Sequence, residues 1–309
     1  MNFFKPNFWD KNQISLYSIF LSPVSIIIQL LYLLRNLLRK SNACPIPVIC
    51  VGNIYLGGTG KTPFCIELYN ILKSLDKKPV FIKKKNNSYK DEKYLLEKTG
   101  AVYESVDRFV AIKNAFRSNY EVAILDDGFQ DSSIKKNLSI ICFNEKQWIG
   151  NGLTIPSGPL RESLSALKRA NCVIINGEKN TNIENKILNK NKNIKIFYTK
   201  YIATNLNDFK NKKVISFAGI GNPTNFFNLL KQNQINIVEQ IGFPDHYNYS
   251  TKDMENLVKK SKENNITLLT TEKDYLRIDK NYRNSIKYLK IQTDIAGKNR
   301  FIEELKKFI

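Results

Sequence analysis

The strand-like run "PVICVGNI" leads into Tyr55 and Leu56, then Gly57, Gly58, Thr59, Gly60, Lys61 and Thr62, then the helical stretch "PFCIELYNILKSL". Strand, glycine loop, Lys-Thr and helix is the order in which a chain cradles phosphate. Glycines let successive backbone N–H groups turn inward, and the helix N-terminus adds positive potential. A lysine then reaches the terminal phosphates and a threonine hydroxyl ligates Mg²⁺. The strict spacing G-x-x-x-x-G-K-[ST] fails at its first glycine, where Tyr55 stands, and the tight glycine core partly replaces it. A bound nucleotide is therefore expected along all eight residues, 55 to 62. Pro63 suits the first turn of the helix, where its missing donor is not needed.

A phosphate loop with Mg²⁺ needs an acidic partner. "VAILDDGFQ" supplies one, an apolar strand ending in Asp126 and Asp127, where open α/β sheets place their ligands. Such a pair can also cap a turn, but beside a phosphate loop the expected role is to hold the metal. The only histidine, His246 in "FPDH", lies far along the chain from that loop. By itself a loop histidine reads as a surface residue.

The elements that must position these groups alternate. "KPVFIKK", "YEVAILDDG", "LSIICFNE", "ANCVIING" and "IKIFYTKYIA" read as strands, with helical stretches such as "DEKYLLEKTG" and "DRFVAIKNAFRSN" interspersed. The fold class expected is α/β, a P-loop NTPase-like, mostly parallel sheet with helices on both faces. The polar stretch "NLNDFKNKK" marks a boundary, after which the alternation restarts. Three domains are expected: 1–40, a membrane-associating hydrophobic helix; 41–208, the phosphate-loop domain; and 209–309, a second, smaller α/β domain. The last helix, "KNRFIEELKKFI", is free to pack back on the middle domain.

The N-terminal run "ISLYSIFLSPVSIIIQLLYLL" carries no charge and is long enough to cross a bilayer as a helix. "FF", "FW", Lys5 and Lys11 precede it, and Arg35, Arg39 and Lys40 follow. Ser15, Ser18, Ser22, Ser25 and Gln29 step by threes and fours, so they form one narrow polar stripe among aliphatics. A cleaved signal peptide would need a small-residue cleavage site, which is missing. A single span, an interfacial anchor and a buried core helix stay open. Pro23, the stripe and the flanking aromatics favour the interfacial anchor. If the helix spans, the basic exit "RNLLRK" puts the rest of the chain in the cytoplasm.

Composition excludes less. The net charge is +20 over 309 residues, but crowding with Lys, Asn and Ile also follows from AT-rich coding, so charge alone identifies no partner. No nucleic acid and no obligate protein partner are inferred. The five cysteines form no ligand-like cluster and suit reduced core positions in the cytosol.

Six blocks in order, "VGNIYLGGTGKTPF", "LDDGFQ", "GNGLTIPSGPLRE", "FAGIGNPTNFF", "FPDHYNYS" and "TTEKD", together with the N-terminal "FW" and hydrophobic helix, resemble the tetraacyldisaccharide 4′-kinases, the lipid A 4′-kinase family. The likeness runs from about residue 3 to residue 278. It implies a kinase at the cytoplasmic face of the inner membrane of Gram-negative bacteria. The kinase moves the γ-phosphate of ATP, with Mg²⁺, to the 4′-hydroxyl of an acylated glucosamine disaccharide 1-phosphate, giving lipid IVA. The resemblance assigns Lys61 and Thr62 to nucleotide and metal, Asp126 and Asp127 to the metal, and Glu162 of "GPLRE" to a further acidic position near it. The family's catalytic carboxylate falls on Asp91 of "YKDEKYLL", with Glu92 as the fallback, and His246 matches the histidine supporting it. That pairing implies a C-terminal domain closing over the nucleotide.

Two departures stand out. "IKKKNNSYKDE" replaces the family's "SRGYGR" loop, and its run Lys83, Lys84, Lys85 reads as solvated, with contacts to phosphate or lipid as the alternative. Asp131 stands where "DDGFQ" is usually followed by histidine. A rival function, a membrane-bound P-loop ATPase switch acting on a protein partner, explains the loop, the acidic pair and the anchor. It leaves "GPLRE" and "FPDH" without a role.

Overall fold

The computed structural model describes residues 6–11, 13–85 and 90–309, apart from the side chains of residues 37 and 90. The "FF" pair, Lys5 and residues 86–89 of the shortened loop lie outside the described residues. The first α-helix among the described residues is α1 (Leu16–Leu38). There follow β1 (Val48–Gly52), α2 (Lys61–Ser74), β2 (Pro79–Lys84), α3 (Lys90–Glu97), β3 (Val102–Ser105), α4 (Arg108–Arg117), β4 (Val122–Asp126), β5 (Leu138–Asn144) and β6 (Cys172–Asn176). After α5 (Thr181–Leu188) and β7 (Lys195–Ala203) come β8 (Lys213–Ala218), α6 (Pro223–Gln232), β9 (Asn236–Gly242), α7 (Thr251–Asn264) and β10 (Thr267–Thr271). The chain finishes with α8 (Glu272–Arg277), α9 (Lys280–Arg283), β11 (Ile286–Leu289), β12 (Ile291–Ile295) and α10 (Lys298–Lys306).

Among the described residues, eight strands form one sheet in the order β12-β7-β6-β5-β1-β4-β2-β3, and four form another, β11-β10-β8-β9. From β3 across to β7, neighbouring strands run parallel, with Val51 level with Asp126 where β1 meets β4. Every residue of β1, β4 and β5 is buried, as expected of central parallel strands covered on both faces.

The chain divides into two compact units. One holds α1 and the described residues up to Lys85, Thr99–Lys200 and Thr293–Ile309; the other holds α3 and Tyr201–Gln292. The observed division therefore departs from a single cut at residue 208. The short excursion through α3 belongs with the four-stranded unit, and α10 belongs with the phosphate-loop unit. There Phe301 packs edge-on against Phe64 and Phe197, and Lys298 Nζ lies 2.6 Å from the buried Glu67. These are nonlocal contacts, which periodicity along the chain does not encode.

α1 is docked along its length on its own unit, through the polar stripe. Asn151 donates to Ser18 Oγ at 3.1 Å, and Ser25 Oγ donates to the Thr154 carbonyl at 3.0 Å. Gln29 donates to the Arg161 carbonyl and Tyr32 to that of Gln130, both at 3.1 Å, and Ser132 donates to Asn36 at 3.0 Å. Pro23 cannot donate to the Ile19 carbonyl, and the Ser22 hydroxyl takes that acceptor instead at 2.7 Å. The remaining surface is aliphatic and open, with Leu16, Phe20 and Leu38 each more than 80% exposed. A buried core helix is thereby excluded within this chain.

All five cysteines are free. Burial pushes the Cys50 thiol up to about 11 and the Cys142 thiol to about 12, which leaves them protonated and inert near neutrality.

Candidate active site

In the phosphate-loop unit, β1 ends at Gly52 and the loop turns back into α2. Gly57 and Gly60 take φ of 135° and 88°, a region open to glycine and strained for side chains. Gly60 is the N-cap of α2, so Lys61 and Thr62 sit on its first turn, where unpaired N–H groups point outward. Asn53, wholly buried, holds the loop's shape by donating to Thr59 Oγ1 at 3.0 Å and to the Gly57 carbonyl at 3.3 Å. Tyr55 explains the missing first glycine. Its ring is buried, its hydroxyl pairs with Asp10, and the next residue, Leu56, donates its N–H to the Pro159 carbonyl at 2.8 Å. The tyrosine pins the loop's base to the N-terminal segment through Asp10.

Parallel pairing of β1 with β4 brings the acidic pair to the loop. Asp127 stands 4.0 Å from Lys61 Nζ and is gripped by Arg161 Nη1 at 2.9 and 3.0 Å from its two oxygens. Its φ of 58° is uncommon for a residue other than glycine, and Arg108 fixes the turn by donating to its carbonyl at 2.8 Å. Asp126, buried, accepts from Lys83 Nζ at 2.7 Å. The basic run is thus divided. Lys84 and Lys85 are exposed, whereas Lys83 is buried as the countercharge of Asp126, against the reading of the whole run as solvated. Asp131 accepts from Arg108 at 2.8 Å and from Ser133, contacts that hold its carboxyl below the usual range despite its burial.

Glu162 Oε2 accepts from Arg169 at 2.6 Å, and its neighbour Arg161 reaches Asp127. Among the described residues no three carboxylate, histidine or cysteine groups converge as a metal cage. Asp126, Asp127 and Glu162 each have a cationic side chain beside them. Mg²⁺ nevertheless suits this chemistry, because it takes one or two carboxylates and completes its shell with phosphate and water. Glu162 Oε1 is buried without a hydrogen-bond donor among the described residues, a polar atom that a cation would satisfy.

The other unit carries the second set. Gly219 follows β8, His246 follows β9 and α8 follows β10, so all three lie at the carboxyl edge of the parallel four-stranded sheet. Asp91, on the first turn of α3, has only 1% of its side chain exposed. It lies 3.5 Å from His246 Nδ1, 3.3 Å from Arg277 Nε and 3.9 Å from Lys273 Nζ. Glu92 is turned to Lys273 at 3.0 Å. Burial opposes ionisation of Asp91, but the His246 ring, Lys273 and Arg277 outweigh it and hold the carboxyl below the ordinary aspartate range.

A buried lattice supports this pair. Asp274 accepts from Gly219 N–H at 3.0 Å and from Tyr249 at 2.9 Å, while Arg277 donates to the Gly219 carbonyl at 2.8 Å. That carbonyl also receives the His246 N–H at 3.0 Å, and His246 itself takes φ of 54°. Sequence reasoning did not assign Lys83, Arg161, Lys273 or Arg277. Arg161 lay within "GPLRE" and Lys273 within "TTEKD", so the blocks contained the signal without the roles.

Similarity to known proteins agrees with these parts. The family model described as tetraacyldisaccharide-1-P 4′-kinase matches residues 17–309. A tetraacyldisaccharide 4′-kinase of Pelagibacter ubique is 42% identical over 306 residues, covering 98% of this chain and 97% of its own. One from Rickettsia bellii is 35% identical over 290 residues, 88% of this chain and 89% of its own. The crystal structure of LpxK from Aquifex aeolicus in complex with ATP superposes with a TM-score of 0.73 at 25% identity, covering 94% of this chain and 99% of that one. With the phosphate loop, the acidic strand end and the Asp91–His246 pair all in place, the chain belongs to the tetraacyldisaccharide-1-P 4′-kinase family.

Proposed function

We propose that the chain transfers the γ-phosphate of ATP to the 4′-hydroxyl of a tetraacyldisaccharide 1-phosphate, forming lipid IVA at the cytoplasmic face of the inner membrane. The observation that carries the reading is the glycine-shaped loop ending at Lys61 and Thr62, with Asp127 4.0 Å from the lysine. In this reading the loop amides and Lys61 hold the β- and γ-phosphates. Thr62, Asp126, Asp127 and Glu162 would hold Mg²⁺, which when bound neutralises charge developing on the phosphate oxygens. Asp91 accepts the proton of the sugar hydroxyl while His246 fixes the carboxylate's orientation. In-line transfer requires the base to reach the hydroxyl proton while the sugar oxygen attacks the γ-phosphorus, away from water.

The acceptor's acyl chains dictate where this happens. α1 turns its polar stripe to the protein and its aliphatic surface outward, which supports a helix lying in the lipid interface and not one crossing it alone. Phe20, Ile27 and Leu31 share the open side. Replacing all three with glutamate is expected to weaken co-sedimentation with phospholipid vesicles by more than about tenfold. Vesicle binding that persists undiminished would remove this face as the anchor.

The reaction itself is tested in detergent micelles. Purified protein with ATP and Mg²⁺ is expected to form ADP only when an acylated glucosamine disaccharide 1-phosphate is present, with phosphate recovered on the lipid. ATP hydrolysis at the same rate without lipid would sink the reading and favour a partner-driven switch.

A further inference from the structure

We propose that Gln29 and Tyr32, on the docked face of helix α1, are positioning residues for phosphoryl transfer, each holding one half of the phosphate site through a hydrogen bond to the main chain. The proposal rests on the functional reading above. An anchor needs only apolar surface, yet α1 sends two side chains to the main chain of residues that shape the site.

The first route leads to the loop. Tyr32 donates to the Gln130 carbonyl at 3.1 Å, Gln130 Nε2 donates to the Asn53 carbonyl at 2.8 Å, and Asn53 holds Thr59 and Gly57. The second leads to the acidic pair. Gln29 donates to the Arg161 carbonyl at 3.1 Å, and the Arg161 side chain grips Asp127, which faces Lys61. Arg161 is also tied to the loop's base, since its N–H donates to the Ile54 carbonyl at 2.7 Å. The two routes meet where Arg161 Nη1 lies 3.5 Å from Gln130 Oε1.

The plainer account is that these bonds fasten the helix and satisfy loop carbonyls. Ser18 separates the two accounts. It fastens the same helix, through Asn151, and lies on neither route. A fastening role predicts that losing any of the three contacts has the same effect; a positioning role predicts different effects on different parameters.

The experiment uses the full chain in phospholipid vesicles, with Tyr32→Phe, Gln29→Met and Ser18→Ala. Each variant's melting temperature and vesicle binding are measured first, and neither is expected to change, because none of the substitutions adds charge or shortens the apolar face. Tyr32→Phe is expected to raise the Kd of a nonhydrolysable ATP analogue, read by calorimetry without acceptor, by about three- to tenfold. Gln29→Met is expected to lower kcat by a similar factor, about three- to tenfold, while the acceptor KM stays put. Ser18→Ala should leave all three parameters at wild-type values. Wild-type Kd and kcat in both route variants, or equal losses in Ser18→Ala, would overturn the coupling. Failure of the wild-type protein to bind the analogue would instead overturn the underlying functional reading, and the coupling with it.

Discussion

Lys61→Ala is expected to lower kcat for lipid phosphorylation by about 10³-fold, the loss typical of removing one preorganised charge from a transferring phosphoryl group. The geometry makes the effect chemical more than structural. The Lys61 side chain is 13% exposed at the first turn of α2 and approaches Asp127 at 4.0 Å, beyond a tight ion pair. Removing it leaves Asp127 held by Arg161 at 2.9 Å and its turn held by Arg108. No buried charge is orphaned, so the large penalty of breaking a buried pair does not arise. The melting temperature should therefore stay close to wild type while transfer collapses. Arginine at this position should fail as well, since a planar fork cannot replace a point charge among loop amides. A Lys61→Ala enzyme retaining kcat within about tenfold of wild type would remove the lysine from the transition state.

The sequence made the local devices readable and left the long-range ones hidden. The glycine loop could be read because φ of 135° and 88° demands glycine, and that demand appears as residue type. The polar stripe on α1 could be read because helical spacing places Ser18, Ser25 and Gln29 on one side, although Tyr32 and Asn36, which extend it, were not recognised. Lys83 was misread. A run of three lysines looks solvated, and only the pairing of β2 with β4 shows that one of them faces Asp126. Tyr55 looked like a defect in a spacing rule, whereas its burial beside Asp10 makes it the loop's anchor. Lys273 and Arg277 belong to a helix after β10, about 180 residues from Asp91, and no periodicity connects such positions. The placement of α3 with the four-stranded unit is hidden for the same reason.

Asp91→Asn should lower kcat by about 10²–10⁴-fold, the range for a positioned general base, with little change in the KM for ATP. Asparagine keeps the volume of a nearly sealed site but cannot take the hydroxyl proton. The pH dependence carries more information than the single rate. In the wild type His246 of the loop after β9, with Lys273 and Arg277 of α8, faces the Asp91 carboxylate, while Glu92 and Asp245 add negative charge around Lys273 and Asp274 around Arg277. The net result is a depressed carboxyl, so the base is ionised throughout the neutral range and its activity falls only as pH drops through that lowered value. Removing a group that favours the ionised form must move the fall upward. His246→Ala is therefore expected to shift the acid limb of kcat to higher pH and to lower the plateau by about tenfold or more, since the carboxylate also loses its orientation. The same sign holds for stability. A carboxyl depressed in the folded state stabilises it above the unfolded pKa, and that stabilisation disappears as pH falls through the folded value. The His246 variant should accordingly show a smaller loss of melting temperature between pH 5 and pH 3 than the wild type. An acid limb that stays in place in His246→Ala, or an Asp91→Asn enzyme with wild-type turnover, would show that the proton leaves the sugar hydroxyl by another route.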